Sequence, residues 1–175
     1  DPGAALTAAR RAGAAAQHTL EGGVEADLEV AAAQARIATV HAPYHAALAG
    51  LMQAARDRHG RALLIDWHSM PARAVGAEVV LGDRYGSACS ARLTRRLRDL
   101  FEGLGWRVSL NRPYAGGWST QGWGRPDEGY EAIQIEISRG LYLDEATLAP
   151  SAGYGRTQKA LGRVVAALCA ERWAD

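Results

Sequence analysis

Residues 63–71 read LLIDWHSMP. Leu63, Leu64 and Ile65 leave no polar gap, so the run suits a strand buried on both faces, as in a parallel sheet flanked by helices. Ala62–Asp66 is accordingly predicted as the first strand. Trp67, His68, Ser69 and Pro71 follow at once. In open α/β sheets functional side chains gather just beyond the carboxyl ends of strands. His68 falls there, and Asp66, two residues earlier, is placed to orient an imidazole. The plain alternative is a satisfied histidine in a turn.

The flanking segments fit the same frame. From Glu25 to His59 apolar residues recur at helical spacing (Leu28, Ala31, Ala32, Ala35, Ile37, Val40), with a break or kink expected at Pro43, which has no N–H to give. A second helix then runs to His59, with Gly60 as its C-terminal cap. Glu78–Leu81, Trp106–Leu110 and Tyr130–Ser138 read as further strands; Ala88–Leu104 and Thr157–Arg172 read as helices. Strands alternating with helices predict an α/β class: a mixed, mostly parallel sheet flanked by helices in three layers. Residues 1–24 are rich in Ala and Gly and poor in large apolar side chains. They are expected to form a loosely anchored segment, with the domain proper over 25–175.

The 175 residues suffice for one domain with its own core. A net charge of +1 gives no field that would draw nucleic acid, and no basic stripe with interleaved aromatics appears. Arg92, Arg95, Arg96 and Arg98 suit a solvated helix face. Two distant cysteines, Cys89 and Cys169, do not make a disulfide framework. No apolar run is long enough to span a bilayer and no leader peptide is visible, so a cytoplasmic location without membrane contact is expected. The chain opens on Asp1 rather than methionine, which suggests trimming, processing or a longer parent chain.

Asn111–Gly129 is a long loop holding Asn111, Arg112, Tyr114, Gly116, Gly117 and Arg125 between two strands. Loops of that length inside a domain are usually functional or disordered, and its tryptophans and tyrosine argue against disorder. The strand after it reads Gln134-Ile135-Glu136-Ile137. Alternation puts Gln134 and Glu136 on one side and Ile133, Ile135 and Ile137 on the other. A carboxylate on a central strand is costly to bury without a partner. The plain partner is an arginine in a structural ion pair; the functional alternative is a general base of tuned pKa.

The series HAPYH (41–45), LLIDWHSMP (63–71), VVLGDRYG (79–86), NRPYAGGW (111–118), GWGRP (122–126) and QIEISRGLYLDE (134–145) resembles the N-formylglutamate amidohydrolase family from about Ala35 to Leu161. The resemblance implies a fold related to zinc carboxypeptidases and aspartoacylases. It implies a zinc-dependent hydrolase that cleaves the amide of an N-formyl or other N-acyl amino acid, with a small anionic substrate such as N-formylglutamate. His68 is then the expected zinc ligand, and Glu136 the catalytic base that activates water. Arg125 is expected to serve both substrate binding and catalysis, with Asn111, Arg112 and Tyr114 as further substrate-binding residues.

A catalytic zinc takes three protein ligands. The N-terminal segment that supplies two of them in the family has no counterpart in this sequence. His41 and His45 stand at i and i+4, a spacing that can seat a metal, but Pro43 lies between them and the Pro-Tyr-His run reads as structural. The expectation is therefore a shortened or partial chain whose site is completed by an upstream segment or a partner chain. The alternative is a non-catalytic member of the fold that binds a carboxylate ligand or a partner protein.

Overall fold

The structure, a computed structural model, describes residues 27–171. The chain divides into two compact units, Asp1–Leu51 and Met52–Asp175. The expected Ala/Gly-rich segment 1–24 lies outside the described residues.

In the first unit residues 27–36 are helical and lead into a π-helical turn, Ile37–His41. Helix α1 then runs Ala42–His59, its residues from Met52 on belonging to the second unit. Pro43 therefore does not break the helix. The wider turn just before it accommodates a residue that lacks an N–H and crowds the preceding carbonyls. The His41 and His45 rings lie 4.2 Å apart and tilted. At the far end of α1 Gly60 adopts φ 75°, and its N–H returns to the Arg56 carbonyl at 2.7 Å, the glycine cap expected from the sequence.

The second unit is built on a four-stranded sheet in the order β1-β4-β2-β3. The strands are β1 Ala62–Met70, β2 Val79–Gly82, β3 Val108–Leu110 and β4 Tyr130–Ser138. β1 and β4 are parallel, β2 and β3 are parallel, and β2 and β4 run antiparallel. The α/β class with a mixed, mostly parallel sheet is thus as expected. β1, however, runs four residues beyond Asp66. It pairs with β4 along its whole length before Pro71 ends it.

Alternation on β4 sorts the two faces. Ile133, Ile135 and Ile137 join Val79 and Leu81 of β2 in the main core. Against them pack Leu93, Leu97 and Phe101 of helix α2 (Ala91–Glu102) and Val164 and Leu168 of helix α4 (Tyr154–Ala170). Ser90 caps α2, its side chain accepting from the Leu93 N–H at 3.3 Å. The opposite face carries the polar side chains of β1 and β4. The 111–129 segment, expected as open loop, forms a short helix α3 (Trp118–Trp123) that packs on both strands, followed by a 3₁₀ turn Pro126–Glu128. No helix among the described residues is long and apolar enough to cross a membrane.

Candidate active site

The parallel register sets His68 directly beside Glu136, and Asp66 beside Gln134. Side chains of paired residues point to the same face, so the four form a two-by-two polar patch opposite the apolar core. His68 is inside β1, not beyond its end. Its Nε2 lies 3.1 Å from Asp66 Oδ2, so Asp66 is the group that orients the ring. Glu136 is buried, and its Oε1 accepts a 2.9 Å hydrogen bond from Gln134 Nε2. Burial pushes the Glu136 carboxyl above the usual glutamate range. The nearby His68 and the Gln134 bond pull it down, Asp66 pushes it up, and burial prevails.

The remaining candidate residues lie elsewhere. Asn111, buried at φ 58°, closes the turn after β2. Its Oδ1 accepts from the Asp83 and Tyr85 N–H groups, and its Nδ2 donates to Asp83 Oδ1 at 2.8 Å. Both ends of the Asn111 side chain are thus engaged on the turn, which it clamps. Arg112 is exposed, and its carbonyl accepts from Ser109 Oγ; Tyr114 is half-buried. Arg125 forms an isolated bridge with Tyr130 at the start of β4, lies over the Tyr130 ring at 5.1 Å and pairs with Glu128 at 3.0 Å. Glu136 is six residues further along β4, about 20 Å at roughly 3.3 Å per residue. The shared site expected for Arg125 and Glu136 is thus not what the strand geometry gives. Arg125 sits at the wrong end of β4, on an aromatic shelf of Trp123 and Tyr130.

Sequence reasoning placed Gln134 on the correct side of the strand but gave it no part. Its signal was the alternation itself, two polar positions facing one way on a strand otherwise apolar. Arg139, three residues past Glu136, pairs with Glu145 at 3.4 Å, and Glu145 in turn accepts from the Ala72 N–H.

Two cavities lie against β1, and neither encloses the patch. The larger, 720 Å³, lies on the apolar side of β1 among Leu63, Ile65, Trp67, Val165 and Leu168. A smaller one of 460 Å³ reaches His68 beside Trp67, Tyr142, Tyr154 and Leu161. Neither is lined by Glu136. The strand register, not either cavity, is what brings the imidazole of His68 and the buried carboxyl of Glu136 together. A hydrolytic zinc needs three protein ligands, and among the described residues no three His, Cys, Asp or Glu side chains gather to hold a metal ion. The described residues on their own therefore do not fit a zinc centre.

Known proteins share this framework. The N-formylglutamate deformylase of Pseudomonas aeruginosa is 29% identical over 116 residues, covering 62% of this chain and 44% of that protein. The Pseudomonas putida enzyme of the same name is 30% identical over 110 residues, covering 59% and 41%. The crystal structure of N-formylglutamate amidohydrolase from Ralstonia eutropha JMP134 superposes with a TM-score of 0.76 at 34% identity, over 79% of this chain and 53% of that one. A gene product of Agrobacterium tumefaciens shares the fold, with a TM-score of 0.51 at 22% identity over 77% of this chain and 52% of its own. The chain thus spans under half the length of the curated relatives and about half that of the solved ones. The family model described as N-formylglutamate amidohydrolase matches residues 3–143, a stretch that contains every strand of the sheet and the whole polar patch, and the chain belongs to that family.

Proposed function

We propose that this chain carries one half of a hydrolytic site for the amide bond of an N-formyl amino acid, with N-formylglutamate as substrate. The observation that carries the reading is the pairing of His68 with Glu136 across β1 and β4, beneath which Glu136 is buried with its carboxyl raised. A buried carboxyl set beside an imidazole in this way is suited to proton transfer. Glu136 takes a proton from water as the water oxygen bonds to the formyl carbon. It returns that proton to the amide nitrogen as the C–N bond breaks, releasing formate and the free amino acid. Asp66 holds the His68 ring in a fixed orientation throughout.

Zinc enters the proposal through His68 as one ligand, the others coming from residues outside those described or from a partner chain. When bound, it would lower the pKa of the attacking water and polarise the formyl carbonyl. Arg112 and Tyr114, on the loop beside the patch, are proposed to meet the substrate's carboxylates. Arg125 has no part in this version, since its guanidinium is held at the other end of β4.

The test is formate release from N-formylglutamate by the purified chain, alone and with the missing half of the family fold added in trans. Glu136→Gln is expected to lower turnover roughly 10²–10⁴-fold with substrate binding retained. Near-normal turnover in that variant overturns the assignment. A second reading, a binding module without turnover, is favoured by the lack of three gathered ligands among the described residues. It predicts calorimetric binding of N-formylglutamate with no formate released under any of these conditions.

A further inference from the structure

Gln134 is buried between two partners of opposite kind. Its Nε2 donates to Glu136 Oε1 at 2.9 Å, and its Oε1 accepts the Gly117 N–H at 2.8 Å. A backbone N–H can only donate, so Gly117 fixes which end of the amide faces the loop. The NH₂ end is thereby forced toward Glu136. One side chain thus joins the loop that carries Arg112 and Tyr114 to the carboxylate on β4.

The neighbouring backbone is shaped for this contact. Gly82 of β2 is the register partner of Gln134. A Cβ there would stand 2.6 Å from the Gly116 N and 2.7 Å from the Ala115 carbonyl carbon, so only glycine lets the loop cross the strand so closely. The Arg84 N–H holds the Ala115 carbonyl at 2.9 Å from the other side. The loop therefore lies directly on the sheet where Gln134 can reach it.

We propose that Gln134 is a positioning residue that links the seating of the 114–118 loop to the orientation of the Glu136 carboxylate. This rests on the reading of Glu136 as the base. A substrate that engages the loop acts on Gly117, Gly117 acts on the Gln134 amide, and the amide aims the carboxylate. If the loop lifts, the amide loses the bond that fixes its direction, and Glu136 loses its aligned donor.

The linkage is read by hydrogen exchange at the Gly117 amide, followed by NMR on the full 175-residue chain, in Gln134→Met and in Glu136→Met. Methionine keeps length and removes both polar ends of Gln134, so Gly117 exchange is expected to rise roughly tenfold. Glu136→Met does not touch Gly117, yet it leaves Gln134 Nε2 a buried donor with no acceptor, so the amide turns and Gly117 exchange rises there as well. The Ile135 amide, which belongs to the sheet core, is expected to stay protected in both variants and reports that each has folded.

A Gln134 that only pins the loop would leave Gly117 exchange unchanged in Glu136→Met, and that result overturns the linkage. Where the unmodified chain turns over N-formylglutamate, Gln134→Met is also expected to lower kcat more than it raises KM; an unchanged kcat overturns the linkage too. If the unmodified chain has no turnover under any condition, the Glu136 assignment fails while the exchange measurements still decide the linkage.

Discussion

Glu131 and Glu136 are both buried on β4 and are shifted in opposite directions. Burial pushes each carboxyl up. At Glu131 hydrogen bonds from Ser90 and the Arg61 guanidinium outweigh it and hold the group below the usual value. Glu136 has one neutral donor, Gln134, and a histidine shared with Asp66, so burial wins. Because the folded state favours the protonated form of Glu136, stability falls as pH rises from the usual glutamate value of 4.5 through the raised one. Glu136→Gln is therefore expected to raise the urea midpoint at pH 7, and the gain should vanish below about pH 4, where both forms are neutral. A variant less stable than the parent at pH 7 would show that Glu136 is not strained there. A gain of that kind is what removing a buried carboxylate without a full set of partners is expected to give.

Three elements meet at a single carboxylate. Glu131 Oε1 accepts the N–H of Ser90, the cap of α2, and its other oxygen pairs with Arg61 just ahead of β1. The carboxylate thus ties the start of β1 and the N-terminus of α2 to β4, while the Leu93, Leu97 and Phe101 face of α2 packs on the sheet. Glu131→Gln keeps the shape but loses the charge, and is expected to cost about 1–3 kcal/mol in urea unfolding at pH 7. The sign of the pH effect is opposite to that at Glu136. Glu131 stabilises fully above the usual carboxylate value, and the contribution is lost as pH falls through its lower folded value. The parent and variant curves should therefore converge in acid; a difference that persisted there would assign the effect to packing instead.

At the scale of the molecule, the polar patch does not by itself make a metal centre among the described residues. The described residues bring together His68, Asp66 and Glu136 on adjacent strands but gather no three ligands around one point. The 175-residue chain purified alone is expected to hold well under one zinc per chain after dialysis, measured by plasma emission. Stoichiometric zinc would contradict this and would direct attention to His18, His41 and His45. The two thiols give a further check on the whole fold. Cys89 is buried, and burial pushes its pKa up to about 12, whereas Cys169 is exposed on α4. One thiol should react rapidly with a disulfide reagent at pH 8 and the other only on unfolding; two fast thiols would mean that the α2 face of the core is not closed.

The alternation of Gln134 and Glu136 with three isoleucines announced which side of β4 would be polar, and the apolar run at 63–65 announced a strand, which pairs in parallel but stands half-buried at the sheet edge instead of buried on both faces as expected. Gly60 marked a helix end, and six motifs in series marked the family. All of these are properties of neighbouring residues, with periods of two or 3.6 that a chain carries wherever it lies. Which strands adjoin, and in what register, depends on contacts between segments far apart in the chain. The pairing of His68 with Glu136, the antiparallel crossing that sets Gly82 opposite Gln134, and the extension of β1 through His68 came from that assembly. So did the placement of two further candidate residues. Asn111 is taken by the turn after β2, and Arg125 is carried to the start of β4. A polar side chain offers the same hydrogen-bonding groups to a ligand and to its own backbone, and only the folded distances choose between them.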